Sequence, residues 1–320
     1  MKKIKVGIVG YGNLGKALEK QLTSSQNIEL VFIATRRIGI SSPYSTLIIN
    51  RKDIQQYYGK INILFLAGSS NQDIENDDEE YIKHFNIINT FDTHAKILTH
   101  YSKLNKLAKK YNHIAILSAG WDPGLFSFIK AIFYSILETP PVCFWGKGTS
   151  LGHSAAARKV PGVIDAISFT IPNKAEIKNA QNGNPPINYL HSRKVYILKD
   201  KTTPKDQIET ELKNIPYYFK GEDVKICFVN KQRMNLMRNF SHSGRVICCS
   251  RNNNDDNEYL LELFVKMSSN PMFTAKIVAM YIKSYHKIKK KYKRGCFTPL
   301  SFSATDLIAK GTKDIIKMFC

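Results

Sequence analysis

The sequence predicts an α/β fold in two parts, on three observations. Residues 4–35 read as strand, glycine turn, helix, strand. The alternation of short apolar runs with helices then continues to about residue 117. Beyond it, strand-like runs at 142–145, 165–171, 193–198 and 224–229 have helices between only some of them. The first pattern is that of a doubly wound parallel sheet, and the second that of an α+β domain on a mixed or antiparallel sheet.

The first turn carries the most local information. The apolar run Ile4 to Val9 is a short buried strand, and Gly10, Gly12 and Gly15 fall on G-x-G-x-x-G around Tyr11, Asn13 and Leu14. The first glycine permits the tight turn, the second lets a pyrophosphate approach the backbone, and the third lets the helix pack on the strand. Leu14, Ala17, Leu18 and Leu22 share one helix face, and Ile28 to Ala34 is the next strand. With these flanks the motif reads as a dinucleotide site in a Rossmann-type domain; without them it would be a glycine-rich turn of some other α/β domain. At the end of the second strand, where an NAD enzyme places an acid for the ribose 2′-hydroxyl, this chain has Thr35, Arg36 and Arg37. A guanidinium pairs with a 2′-phosphate and a carboxylate repels it, so the cofactor read here is NADP. One of the two arginines alone would read as a solvated charge.

Further strands are expected at Ser45 to Ile49 and Ile61 to Leu66, with a short helix at Asp53 to Tyr58 between them. Ile61 to Leu66 runs into AGSSNQD, and Gly68, Ser69, Ser70 and Asn71 then lie at a strand's carboxyl end, where open α/β sheets bind ligands. An acidic helix is expected at Asp73 to Phe85, and a strand from Phe85 to Asn89 that ends in TFDTH, placing Thr90, Phe91 and Asp92 on the same edge. A helix at Ala95 to Tyr111 turns Ile97, Leu104 and Leu107 inward. The last strand, Ile114 to Leu117, runs into SAGWDPG and brings Ala119, Gly120, Trp121, Asp122 and Pro123 there too. Residues 1–120 are thus a nucleotide-binding domain and 121–271 a second domain for substrate and dimerisation. Val246 to Ser250 and Tyr259 to Met267 form a hairpin around NNNDDN, and helices at Met272 to Lys290 and Thr305 to Met318 return to the first domain. A sheet with one wet face suits a homodimer.

Composition narrows the partners. The 320 residues are 43% hydrophobic and 23% charged, ordinary for a globular chain, but 47 Lys and Arg against 26 Asp and Glu give a net charge of +21. The basic run Lys283 to Arg294 has seven cations and no acid. The helix entering it carries Phe273, Ile277, Met280, Tyr281 and Ser284 on one side, which reads as a docked helix with a solvated face rather than a nucleic-acid surface. The six cysteines (143, 227, 248, 249, 296 and 320) form no C-x-x-C and no metal-ligand spacing, and read as reduced thiols of a cytoplasmic protein. No signal peptide, membrane span or metal site is expected.

Longer motifs go beyond the glycine turn. IVGYGNLGKALE at 8–19, Thr35-Arg36-Arg37, TFDTH at 90–94, SAGWDPGLFS at 118–127, FWGKGTSLGHSAAARKVPGV at 144–163 and SSNPMFTA at 268–275 together resemble the NADP-dependent meso-diaminopimelate dehydrogenase family, nearly end to end. WDPG and FWGxGxSxGHS are not general features of dinucleotide enzymes. The resemblance implies reversible oxidative deamination of the D-configured carbon of meso-2,6-diaminopimelate, a step of lysine biosynthesis. A hydride passes to NADP⁺, and the imine hydrolyses to L-2-amino-6-oxopimelate and ammonia.

The resemblance also implies roles. Asp92 and Asp122 are the paired acids beside the cofactor, able to accept hydrogen bonds and a proton from the reacting ammonium. Trp145 lies against the substrate, and Leu151 and Gly152 offer it backbone groups. Thr170, Arg193, His242 and Asn270 receive the distal end, with the arginine gripping a carboxylate as a fork. Taken singly, each has a plainer reading: Asp122 as a helix cap, Arg193 as a strand-edge charge, His242 as a satisfied histidine, Asn270 as a turn former. Their common chain order carries the assignment. The alternatives are another NADP-dependent reductase of amino-acid metabolism with this fold, or a non-catalytic NADP-binding regulator.

Overall fold

The structure is a computed structural model that describes residues 3–68, 73–237, 241–251 and 258–320. The chain divides into two compact units, residues 1–128 with 271–320, and residues 129–270.

The first unit opens with β1 (Ile4–Val9), α1 (Asn13–Thr23), β2 (Ile28–Thr35), β3 (Ile48–Asn50) and a 3₁₀ turn at Arg51–Tyr57. It continues with β4 (Ile63–Leu66), α2 (Ile74–Tyr81), β5 (Ile87–Asn89), α3 (Ile97–Lys110) and β6 (Ile114–Ile116). All four residues of β4 and all three of β5 and β6 are buried. That is why these strands read as unbroken apolar runs: a parallel sheet is covered on both faces. The expected alternation is therefore present, with β1 as read, β2 one residue longer, and β3 to β6 one or two residues shorter.

The second unit contains α4 (Leu125–Leu137, entering from the first unit), β7 (Val142–Trp145), β8 (Gly148–Ser150), α5 (Leu151–Ala157), β9 (Val163–Pro172) and α6 (Lys174–Gln181). β10 (His191–Lys199), α7 (Lys205–Lys213), β11 (Asp223–Phe228), α8 (Lys231–Leu236), β12 (His242–Arg251) and β13 (Glu258–Met267) complete it. Two sheets form, ordered β11-β10-β9-β8 and β13-β12-β7. The first is mixed, since β10 runs parallel to β11 and antiparallel to β9; the second is antiparallel. The sequence reading anticipated one sheet. The chain changes sheets between β7 and β8 at Gly146, whose φ of +100 is open to glycine and where a Cβ would stand 2.2 Å from the Thr170 carbonyl oxygen. Val195, Ile197, Ile208, Leu212 and Phe219 pack one face of the mixed sheet, and Ile167, Phe169, Met234 and Met237 the other.

The chain then supplies α9 (Asn270–Lys283), α10 (Tyr285–Tyr292), β14 (Gly295–Phe297) and α11 (Thr312–Phe319). β14 pairs parallel with β6, so the first unit's sheet has seven strands in the order β14-β6-β5-β4-β1-β2-β3. α9 is buried nearly all round, including Thr274, Ala275, Val278, Ala279 and Ile282, rather than on one stripe. The lysines stand on α10. There Lys287 donates to the Thr305 carbonyl at 2.5 Å, Lys289 to the Lys293 carbonyl at 2.7 Å, and Lys291 to Asp306 at 2.8 Å. Part of the basic run thus closes the segment that follows it.

Candidate active site

In the first unit the ligand edge is made by main chain. Gly10 has φ +99, and a Cβ on it would press the Ala67 backbone at 3.2 Å. A Cβ on Gly15 would stand 2.2 Å from the Gly10 carbonyl oxygen, so only glycine lets α1 start this close to the turn. Gly12 caps α1 without a side-chain acceptor, the first turn holds no acid, and a Cβ there would reach into open space. The helix N-terminus thus presents amides and positive dipole toward an anion, which fits a pyrophosphate. The side chains of Asn13 and Leu14 begin that helix. Tyr11 points inward, 2% exposed, and its hydroxyl donates to Glu19 at 2.5 Å. Burial, then Glu19, raise its pKa to about 12.

At the end of β2, Thr35 is buried and its Oγ1 accepts from the Arg37 amide at 3.2 Å. The Arg37 guanidinium donates to the Tyr11 carbonyl, and that of Arg36, exposed, pairs with Asp73 at 3.0 Å. Arg37 thus stands against the glycine turn, and Arg36 against the residue that follows the β4 turn. A Cβ on Gly68 would meet Asp73 at 2.7 Å. Ser69, Ser70 and Asn71 lie outside the described residues.

Asp92 follows β5 and Asp122 follows β6, and one residue ties the two turns together. Asn89, fully buried at the end of β5, accepts through Oδ1 from the amides of Phe91 at 3.0 Å and Ser118 at 3.1 Å. Its carbonyl accepts from Ala119 N at 2.8 Å, and Ser118 Oγ donates to the Phe91 carbonyl at 2.8 Å. The Asn89 amide donates to Asp78 at 2.7 Å, and Asp78 pairs with His100 Nε2 at 2.6 Å. Burial pushes the Asp78 carboxyl up, against the bonds from His100 and Asn89. A Cβ on Gly120 would approach Thr90 Cβ at 3.9 Å, and one on Gly124 (φ +141) would stand 1.8 Å from the Gly120 carbonyl oxygen. The turn before Pro123 is thus closed on glycine. Phe91 is fully buried, with its amide and carbonyl both held by Asn89 and Ser118, and Trp121, 8% exposed, packs edge-on against Phe126 at 5.2 Å. Asn89, Asp78 and His100 were not singled out from the sequence. An Asn ending an apolar strand was the available signal.

In the second unit, side chains do the work. Thr170 on β9 and Arg193 on β10 are cross-strand partners, and Gly148 on β8 is the next partner of Thr170. A Cβ on Gly148 would stand 2.6 Å from His242 Cα, so β8 brings His242 of β12 beside that pair. Thr170, Arg193 and His242 are all buried. The Arg193 guanidinium donates to Thr170 Oγ1 through Nη1 and to Glu222 through Nε and through Nη2, the last at 3.1 Å. A buried cation needs such pairing. Trp145 stacks on His191, with ring centres 4.8 Å apart and planes 13° apart, and its amide donates to His191 Nε2 at 2.6 Å. That bond requires a neutral imidazole. Burial, then the Arg193 charge, lower the pKa values of His191 and His153 to about 3, and burial lowers that of His242. Leu151 and Gly152 open α5, with Tyr218 3.3 Å from where a Gly152 Cβ would be. Asn270 is the first residue of α9 and lies at the end of this unit. His191 and Glu222 are further residues of this cluster that the sequence did not single out; Glu222 sits 29 positions from its partner.

A glycine turn flanked by two arginines, and a second unit with a buried guanidinium among a hydroxyl and imidazoles, are the features of a dinucleotide-dependent oxidoreductase. The chain belongs to the meso-diaminopimelate D-dehydrogenase family. Residues 120–269 match the model of the diaminopimelic acid dehydrogenase C-terminal domain. The meso-diaminopimelate D-dehydrogenase of Acetivibrio thermocellus is 32% identical over 324 residues, 98% of this chain and 97% of that one. The Corynebacterium glutamicum diaminopimelate dehydrogenase, solved in complex with diaminopimelate, superposes with a TM-score of 0.93 at 28% identity over 100% of both chains. An engineered D-amino acid dehydrogenase bound to NADP⁺ does so with 0.91 at 27% identity, again over 100% of both. The resemblance carried by the sequence segments thus extends over the full chain.

Proposed function

We infer that this protein catalyses the reversible, NADP-dependent oxidative deamination of the D-centre of meso-2,6-diaminopimelate, giving L-2-amino-6-oxopimelate and ammonia, as a step of lysine biosynthesis. The observation that carries the reading is the clustering of Thr170, Arg193 and His242 from three strands of a unit that matches the diaminopimelate dehydrogenase domain. The relatives' names and the NADP⁺-bound neighbour support substrate and cofactor.

When bound, the nicotinamide supplies the two-electron acceptor. The Gly10 to Gly15 turn, the α1 amides and Arg36 with Arg37 hold the cofactor. Asp92 and Asp122 accept hydrogen bonds from the reacting ammonium, and a carboxylate of the pair takes the proton released as the amine becomes an imine. Trp145, held flat by His191, walls the substrate. Arg193, Thr170, His242 and Asn270 orient its far end, so that of two similar amino-acid ends one is presented for oxidation. The protein acts as a cytoplasmic homodimer with no nucleic-acid partner. Support for the dimer is the apolar surface of the second unit, where Ile132, Tyr134 and Ile136 on α4 and Tyr259, Leu260 and Phe264 on β13 are exposed. Among the described residues, no helix is long and apolar enough to cross a membrane.

The test is NADPH formation from purified protein with meso-, LL- and DD-diaminopimelate. Activity is expected with the meso isomer, with NADP⁺ strongly preferred to NAD⁺. No NADPH from any isomer overturns the reading, and equal use of NAD⁺ overturns the role of Arg36 and Arg37.

A further inference from the structure

The distal end of a diaminopimelate carries two charges, a carboxylate and an ammonium. Arg193, Thr170, His242 and Asn270 account for the first: they are a cation, a hydroxyl, an imidazole and an amide, chosen as donors. None is an acid that would receive an ammonium. The acid in this cluster is Glu222.

Its placement follows from the fold. Gly221, at φ +82, turns the chain into β11, and the β10–β11 register pairs Asp223 with Ser192. The same register pairs Arg193 with Val224, so Glu222, two residues earlier, reaches Arg193 diagonally and takes the side edge of the guanidinium, through Nε and Nη2. Thr170 takes one Nη1 donor. An arginine has five N–H donors, so one on each terminal nitrogen remains for an incoming carboxylate. Glu222 is also only partly committed. Each carboxylate oxygen can accept a second hydrogen bond, and its side chain is 34% exposed where that of Arg193 is 6% exposed. An acceptor thus stands at the rim of a donor set whose cation lies behind it. The flanking imidazoles of His153 and His242 are held neutral by burial, so the cluster carries one positive and one negative charge, matching a zwitterion.

We propose that Glu222 receives the distal ammonium of the substrate while its other lone pairs hold Arg193 for the distal carboxylate, making Glu222 the residue that selects a 2,6-diamino acid over a D-amino acid with the same carboxylate but no second amine. The proposal rests on the diaminopimelate reading above.

The experiment compares meso-diaminopimelate with D-2-aminopimelate, which has the same chain and distal carboxylate but no distal amine, in wild type and in Glu222→Gln. Wild type should show a KM at least tenfold lower for meso-diaminopimelate. In Glu222→Gln the two KM values should come within threefold of each other, through a rise in that for meso-diaminopimelate, with kcat changed less than threefold. A wild-type KM ratio near one overturns the proposal. So does a Glu222→Gln variant in which both KM values rise by the same factor, since Glu222 would then only position Arg193, or in which neither changes. Should Glu222→Gln be inactive with both compounds, Glu222→Asp, which keeps the charge, decides: a retained preference supports the proposal and a lost one overturns it. Failure of the underlying reading looks different, because wild type would then form no NADPH from meso-diaminopimelate at all.

Discussion

At the ligand edge of the first unit, the shape is fixed by main chain and neutral groups: glycines at 10, 15 and 124 that tolerate no Cβ, and an Asn89 amide that bridges two turns. In the second unit the candidate site is an ion pair, a hydroxyl and three imidazoles, brought by β9, β10, β12, α5 and the turn before β11 around one buried guanidinium. The difference teaches where each region is vulnerable. A backbone-built edge fails when a methyl group is added or a hydrogen bond is lost. A charge-built pocket fails when a donor geometry or a protonation state changes.

The sharpest contrast is expected at the acids. Asp122→Asn keeps the turn but removes a proton acceptor, and kcat should fall by about 10³ with little change in NADPH affinity, read by steady-state kinetics and fluorescence titration. An unchanged kcat would remove Asp122 from the chemistry. Next, Gly15→Ala puts a Cβ against the Gly10 carbonyl. NADPH binding should weaken by roughly a hundredfold, while the mixed sheet of the second unit keeps its hydrogen-exchange protection. Asn89→Ala strips acceptors from two buried amides and a donor from Asp78; chemical denaturation should show a loss of roughly 3 kcal/mol. Arg193→Lys, by contrast, should cost little stability and raise the meso-diaminopimelate KM by about thirtyfold, because a point charge cannot serve Glu222, Thr170 and a ligand at once. An equal loss of stability in these two variants would erase the distinction between the regions.

The smallest effect is with pH. His153 and His191 have folded-state pKa values of about 3, below the ordinary 6.5. Below 6.5 the unfolded chain binds protons that the folded one does not, so their contribution to stability is full above that value and is lost as pH falls toward 3. Between pH 7.5 and 5 each should cost on the order of 1–2 kcal/mol. His191→Gln should flatten the pH dependence of thermal unfolding, which differential scanning calorimetry would detect.

Much of the first unit was legible because its signals are local. Strand, turn and helix lie within 35 residues, Gly15 meets the Gly10 carbonyl five positions away, and both-face burial writes apolar runs into β4, β5 and β6. The second unit's site was legible through the resemblance alone. Taken singly, Thr170, Arg193 and His242 look like ordinary strand residues, since nothing along the chain says that Gly148 will bring them together. β14 went unread for a related reason: three residues after a lysine-rich helix are too few to show a period, and β6 gains that partner from 181 positions further on.

The sequence by itself determined the parallel α/β architecture, the dinucleotide turn with its two arginines, and the family, because periodicity, glycine spacing and long motifs are properties of contiguous residues. Only the tertiary structure decided that Asn89 ties the Asp92 turn to the Asp122 turn, that the second unit has two sheets joined at Gly146, and that Glu222 shares Arg193. Those are meetings of groups far apart in the chain, selected because a buried amide, a crowded carbonyl and a buried cation each need a partner that local pattern does not name.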